Sequence, residues 1–181
     1  MFFEEFDLLF SWECLEHFVN PKKALLSINR ILKPGGYPYH SYNPFFALDV
    51  GYCLCTLDIL WGRAVLSAEG FLKYTREFQL NKLTLSTSFY LKCLNRMTIV
   101  DLEKFAKKTK LETMLLIPSP NPEYLKILDL QTLKRVKELL PSIDILELIS
   151  PWITIVHKKN LDRFIVIIYE FFVYIIFNSL K

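Results

Sequence analysis

Phe6-Asp7-Leu8-Leu9-Phe10-Ser11-Trp12, then Leu15-Glu16-His17, Asn20-Pro21 and Arg30-Ile31-Leu32-Lys33-Pro34-Gly35-Gly36, is the passage that decides the fold. Residues 6–12 are almost continuously apolar after Asp7, the pattern of a parallel strand covered on both faces. Asn20 followed by proline supplies a helix cap and a first helical residue that needs no N–H donor. Ala24, Leu25, Ile28, Ile31 and Leu32 then recur at three- and four-residue spacing, which leaves Lys22, Lys23, Asn29 and Arg30 outward. Lys33-Pro34-Gly35-Gly36 stops the helix. A strand over 37–43 follows, with Pro38 at its entry, where a missing donor is tolerated. The whole is a strand, a helix and a second strand.

Bulk properties exclude several classes. The chain has 181 residues, long enough for one domain with a real core, and 52% are hydrophobic and 15% aromatic, which excludes general disorder. A net charge of +3 arises from 22 basic and 19 acidic residues spread without a dense basic block, so no nucleic-acid partner is expected. No basic segment followed by an apolar core and cleavage site opens the chain, so no secretory signal is evident. The spacing Cys53-x-Cys55 is wrong for a zinc knuckle or a redox pair. Cys14 and His17 can share a helix face, but no second ligand pair accompanies them. No metal is expected, and reduced thiols in a cytoplasmic protein are the reading.

From residue 44 to about 96 the alternation of strand and helix gives way to an aromatic-rich insertion. Ser67-Ala68-Glu69-Gly70 opens a helix carrying Phe71, Leu72, Tyr74 and Phe78. Thr98-x-x-Asp101 loosely fits a capping box ahead of Leu102, Phe105 and Ala106. A strand over 111–117, a helix from about 123 to 140 and a last strand over 152–157 complete the order.

The opening passage resembles the second half of a class I S-adenosylmethionine-dependent methyltransferase domain. That family has an Asp-led strand, a Leu-Glu-His tripeptide, an Asp/Asn-Pro helix start and an Arg-Val-Leu-Lys-Pro-Gly-Gly stop, each with a counterpart here. In a subset of the family the insertion carries an Asn-Pro-Phe run, a tryptophan before a Leu-Ser-x-x-x-Phe helix and an Asn-Arg-Met-Thr segment. Asn43-Pro44-Phe45-Phe46, Trp61, Leu66-Ser67-Ala68-Glu69-Gly70-Phe71 and Asn95-Arg96-Met97-Thr98 stand in those places. The resemblance covers residues 6–159 and implies an α/β fold: a partial Rossmann-like sheet, strands 4 to 7 with flanking helices, interrupted by a helical, aromatic insertion. Residues 1–44 would be the second-half βαβ unit, 45–96 the substrate-cap-like insertion, 97–159 the rest of the sheet, and 160–181 an apolar tail outside the pattern.

The resemblance also implies S-adenosylmethionine as cofactor and a small-molecule methyl acceptor. The family holds the cofactor mainly with a Gly-rich turn after its first strand and an acid ending its second. None of the five glycines forms a G-x-G pattern, and five residues precede Phe6. The expectation is therefore an incomplete fragment without activity of its own. Ser11, Trp12 and Glu13 would face the methionine part of the cofactor, Trp12 reading equally as a packed aromatic. Glu16 orients the turn. His17 lines the pocket, where an imidazole suits proton removal from an acceptor. Asn43 at the ligand edge, Trp61 and Arg96 would bind the acceptor, Arg96 through a carboxylate or phosphate. Trp61, Phe45, Phe46, Tyr52 and Tyr90 form either an aromatic lid or the insertion's own small core, and the alternative for Arg96 is that it caps a helix. His40 and His157 read as structural.

Residues 164–177 form an apolar run broken only by Glu170. Fourteen residues fall short of the roughly 20 that a bilayer span needs. A membrane-surface anchor, a partner-binding segment and a relic of a disrupted gene are its three readings. The rival function is accordingly a non-catalytic interaction or membrane-associated protein derived from a methyltransferase. Deleting residues 160–181 is expected to raise solubility without changing the strand order. Loss of the far-ultraviolet dichroism on deletion would instead make the run an integral part of the core.

Overall fold

Strand β1 (Phe6–Trp12) leads through a 3-10 turn at Leu15–His17 into helix α1 (Pro21–Ile31) and strand β2 (Leu32–Tyr42). The computed structural model describes residues 3–48, 55 and 57–160; Gly51, Tyr52 and Cys53 and the run 164–177 lie outside them. Helix α1 starts as its sequence dictates. Asn20 Oδ1 accepts the Lys23 N–H at 2.9 Å, and Pro21 takes the first helical position. Such a cap contributes about 1 kcal/mol. Leu25 and Ile28 carry its buried face.

The end of α1 differs from expectation. The helix stops at Ile31 and β2 begins at once with Leu32, five residues earlier than its apolar pattern indicates. The strands are parallel, but the register jumps from Phe6↔Leu32 to Leu8↔Tyr37, so Lys33-Pro34-Gly35-Gly36 is accommodated as a bulge inside β2. Both glycines are required there. Gly35 has φ +82°, and a Cβ on Gly36 would lie 3.0 to 3.2 Å from the carbonyl oxygens of Lys33, Asp7 and Phe6. Pro38 consequently sits inside the strand, opposite Leu9.

The insertion contributes helices α2 (Gly62–Val65), α3 (Ala68–Phe78) and α4 (Leu83–Lys92), with a 3-10 turn at Leu80–Lys82. Ser67 caps α3 by accepting the Gly70 N–H at 3.1 Å. Helix α5 (Ile99–Lys108) opens on a complete capping box, with Thr98 and Asp101 each accepting from the other's N–H. Strand β3 (Leu111–Ser119), helices α6 (Pro122–Ile127), α7 (Leu130–Leu139) and α8 (Ile145–Ile149), and strand β4 (Trp152–Lys159) complete the chain's described elements. The single helix expected over 123–140 is two, because Asp129 accepts the Thr132 N–H at 2.6 Å and starts a new one. Helix α8 has no counterpart in the sequence reading.

The sheet order is β1-β2-β4-β3, with β4 antiparallel to both its neighbours. This is the expected mixed α/β sheet with flanking helices. Leu25, Ile28, Leu32, Leu102, Ala106, Ile153 and Ile155 form the core under α1 and α5. A second core inside the insertion gathers Phe45, Phe46, Trp61, Phe71, Tyr90 and Leu148, with Phe71 stacked on Tyr90 at 3.9 Å.

Strand β1 corrects the expectation of a strand covered on both faces. Leu9 packs against the core under α1 and α5, but Leu8, Phe10 and Trp12 on the other face are 48%, 69% and 63% exposed. Among the described residues only β2 pairs with β1. The apolar composition of 6–12 marks a face to be covered, and no described helix covers it.

Two histidines are enclosed by the sheet and its helices. His40 on β2 and His157 on β4 are fully buried with ring centroids 5.8 Å apart. His40 Nδ1 lies 2.7 Å from Ser11 Oγ, while its Nε2 and both nitrogens of His157 are shielded without partners. Burial pushes His40 down to about 3, with the charge of His157 adding to it, and burial pushes His157 down to about 4. Both rings stay neutral in the folded chain, whereas the unfolded chain takes up protons below about pH 6.5. The stability tied to neutral rings is complete above that value and lost as the pH falls toward 4. Between pH 7 and pH 5 each ring is expected to cost about 2 kcal/mol. Urea unfolding of the parent and of His157→Leu at both values checks this: the variant should lose about 2 kcal/mol less than the parent.

Candidate functional site at the carboxyl edge of the parallel strands

Parallel strands present ligands at their carboxyl ends. That edge gathers Ser11 and Trp12 at the end of β1 with Glu13 just after it, and Tyr42 at the end of β2 with Asn43 just after it. Ser11 pairs with His40 and Trp12 with Ser41 in register, and the Glu13 N–H continues the ladder to the Ser41 carbonyl at 2.9 Å. Glu13 then takes φ 48°, a left-handed conformation that turns the chain away from the sheet. The Cys14 thiol donates back to the Trp12 carbonyl at 3.0 Å.

The turn at Leu15–His17 is held from two directions. Glu16 is buried and its Oε1 accepts the Asn43 N–H at 3.4 Å, which ties the ends of β1 and β2 together. Burial raises the Glu16 carboxyl above its ordinary range, against the N–H groups of Glu16 and Asn43, which hold it down. From the insertion, Asn95 donates its amide to the carbonyls of Leu15 at 2.7 Å and Phe18 at 3.0 Å, and its N–H to the Glu16 carbonyl at 3.0 Å. His17 stays exposed, with Nδ1 2.8 Å from the Cys93 carbonyl and its ring 6.1 Å from that of Phe89.

The expected acceptor-side residues divide. Asn43 is at the edge, where its amide donates to the Pro151 carbonyl at 3.4 Å. Arg96 follows Asn95 directly, and its guanidinium lies 4.2 Å above the Tyr90 ring and 6.0 Å from that of Phe45, two residues beyond Asn43. Trp61 is elsewhere. It is 1% exposed in the insertion's core and its indole N–H donates to the Leu148 carbonyl at 2.9 Å. Of the two readings of the aromatic cluster, Trp61, Phe45, Phe46 and Tyr90 realise the small core. Glu13, Trp61 and Arg96 all hold positive φ, at 48°, 51° and 52°. For residues with a Cβ this costs roughly 1–2 kcal/mol each.

Sequence reasoning missed Glu147. It lies on α8, is fully buried, and its Oε2 accepts the Ile99 N–H at 3.0 Å, satisfying the first turn of α5 beside the Asn95–Thr98 segment. Oε1 is shielded without a partner. No local signal marks it, because the pair is separated by 48 positions. Burial pushes its carboxyl up to about 7, against the Ile99 N–H and with Asp101 and Asp144 adding.

The residues present supply only part of a nucleoside-type cofactor site. Gly35 and Gly36 lie at the amino end of β2, and Gly62 and Gly70 in the insertion helices. No glycine follows β1 to let the backbone approach a ligand. Ser11 and Trp12 end β1 and Glu13 follows it, at the edge where parallel strands present ligands. Among the described residues no three His, Cys, Asp or Glu side chains converge on a metal site. A cavity of about 340 Å³ lined by Glu103, Lys107 and Glu112 lies at the amino end of β3, at the opposite end of the sheet from this edge.

Comparison with known proteins gives the family. Residues 3–114, more than half of the chain, match the family model described as a methyltransferase domain. No curated protein sequence matches. Among solved structures, the phosphoethanolamine N-methyltransferase 2 of Haemonchus contortus with S-adenosyl-L-methionine is 17% identical, TM-score 0.46, over 89% of this chain and 35% of its own. A methyltransferase from Methanosarcina mazei is 13% identical, TM-score 0.44, over 89% and 62%. An S-adenosylmethionine-dependent methyltransferase from Mesorhizobium loti is 13% identical, TM-score 0.46, over 87% and 64%. The chain thus spans from about a third to just under two thirds of these three. Among the described residues no helix is long and apolar enough to cross a membrane.

Glu147 sets a pH dependence of the sign opposite to the histidines. Its carboxyl keeps its proton in the folded chain up to about pH 7, whereas in the unfolded chain it ionises above about 4.5. The associated stability is present below 4.5 and lost as the pH rises through 7. Glu147→Gln keeps an oxygen for the Ile99 N–H. Between pH 5 and pH 7 the variant should gain about 2 kcal/mol on the parent in urea unfolding.

Proposed function

Because the chain belongs to the methyltransferase domain family, we propose that it forms the acceptor-side part of a site that moves a methyl group from S-adenosylmethionine to a small molecule. The observation that carries this reading is the linked edge of Ser11–Glu13, Glu16, Asn43 and Asn95, at the place where this class of sheet takes its ligands. When bound, the cofactor supplies the methyl group already activated as a sulfonium. What remains for the protein is to align the acceptor and exclude water. Ser11, Trp12 and Glu13 border the methionine end. Asn43, Trp61 and Arg96 serve the acceptor side, Trp61 by shaping the insertion from within. His17 is the proton acceptor if the methyl acceptor is a hydroxyl. The cytoplasm is the compartment this reading assumes, consistent with three cysteines outside any disulfide among the described residues.

The second reading is a non-catalytic interaction protein built on the same fold. The exposed apolar face of β1 and its edge, which no described strand other than β2 pairs, favour it, and the apolar run 164–177 in the sequence agrees with it. Such an edge is a template for another strand.

A cofactor titration separates the two properties, family membership and competence. The chain alone is expected to bind S-adenosylmethionine far more weakly than micromolar, because the Gly-rich turn and the ribose-binding acid that carry most polar contacts are missing. Calorimetry on the purified chain is the measurement, and micromolar binding would overturn the incomplete-site reading.

A further inference from the structure

We propose that Arg96 is an anion-recognition group and that the small molecule taken at this edge carries a carboxylate or phosphate. The inference rests on the acceptor-side reading above and names the chemical class of the acceptor.

Arg96 is half-buried, and all its described interactions are with neutral groups. One guanidinium nitrogen donates to the Tyr90 carbonyl at 3.0 Å, the plane lies 4.2 Å over the Tyr90 ring, and Phe45 flanks it at 6.0 Å. Its Nε is shielded and has no acceptor. No described carboxylate pairs with it, although Lys33, Lys104, Lys126, Arg135 and Lys159 all have one. A guanidinium cannot discharge itself by losing a proton. Holding it partly desolvated without a counter-ion among the described residues is unfavourable, and a planar fork of N–H groups is matched by a carboxylate or phosphate.

The arrangement is also costly to build. Arg96 sits at φ 52°, a strained conformation for a residue with a Cβ. Asn95 holds it there, since its Oδ1 accepts the Met97 N–H at 3.0 Å while its amide binds the turn after β1. The Arg96 backbone is therefore joined to the turn after β1 through one residue, and its guanidinium lies between Tyr90 and Phe45, two residues beyond Asn43. A strained, pre-oriented cation that no described carboxylate compensates, beside Phe45 just past the end of β2, is what an anionic acceptor group would complete.

The test needs no cofactor, so its failure is distinct from failure of the cofactor titration. The full chain is titrated with inorganic phosphate and, separately, acetate, with chloride at matched ionic strength, and Tm is followed. The expected result is a saturable rise with phosphate or acetate and none with chloride; whichever anion acts names the source. In Arg96→Gln the apparent Kd should weaken about tenfold, and in Arg96→Lys, which keeps the charge but not the fork, about threefold. A linear rise without saturation is a general salt effect and overturns the proposal. So does a saturable rise of equal affinity in Arg96→Gln. If Arg96→Gln does not fold, an Arg96→Lys response identical to the parent overturns it.

Discussion

The turn between Glu13 and Phe18 governs the functional end of this molecule, and one side chain governs the turn. Asn95 uses its amide hydrogens on two carbonyls that the 3-10 turn leaves unpaired, and its backbone N–H on a third. Buried carbonyls without partners would each cost on the order of 1–3 kcal/mol. The insertion is thereby fastened to the βαβ unit by hydrogen bonds that no apolar contact could replace. Glu16 adds the second link, to Asn43 at the end of β2. The relative positions of strand ends, turn and Arg96 all follow from these few polar contacts.

The local chemistry of the sequence was legible where it depends on neighbours in the chain. Asn20-Pro21, Ser67 with Gly70 and Thr98 with Asp101 each mark a helix start, and each makes the expected bond. Lys33-Pro34-Gly35-Gly36 reads as the stop of a helix, but the helix already ends at Ile31, and the two glycines serve a bulge inside β2 whose tight contact is with Phe6 and Asp7 across the sheet. That contact has no local signature. The break at Leu128-Asp129 was hidden by an apolar period continuing on both sides of it. The exposure of Phe10 and Trp12 was hidden for another reason: composition reports what a strand is suited to, and not what packs on it.

The site was legible to a similar depth. The edge position of Ser11, Glu13 and Asn43 follows from strand direction alone. The role of Asn95 as the clamp and of Glu147 as the partner of Ile99 depends on contacts 77 to 80 and 48 positions apart. Trp61 shows the limit from the other side, because an aromatic in an insertion looks alike whether it lines a cleft or fills a core. Its bond to Leu148, on a helix that the sequence did not announce, decides for the core.

The side of β1 that no described strand pairs has a consequence for any segment that meets it. Ladder positions along an edge alternate between donors and acceptors at a fixed repeat, so side chains alone cannot match them all. Whatever covers this edge, from this chain or another, must bring an extended main chain of its own. The hydrophobic face beside it then acts as a ruler: a strand in the wrong register would leave Leu8, Phe10 and Trp12 against polar atoms. Geometry selects the kind of neighbour, and the side chains select its alignment.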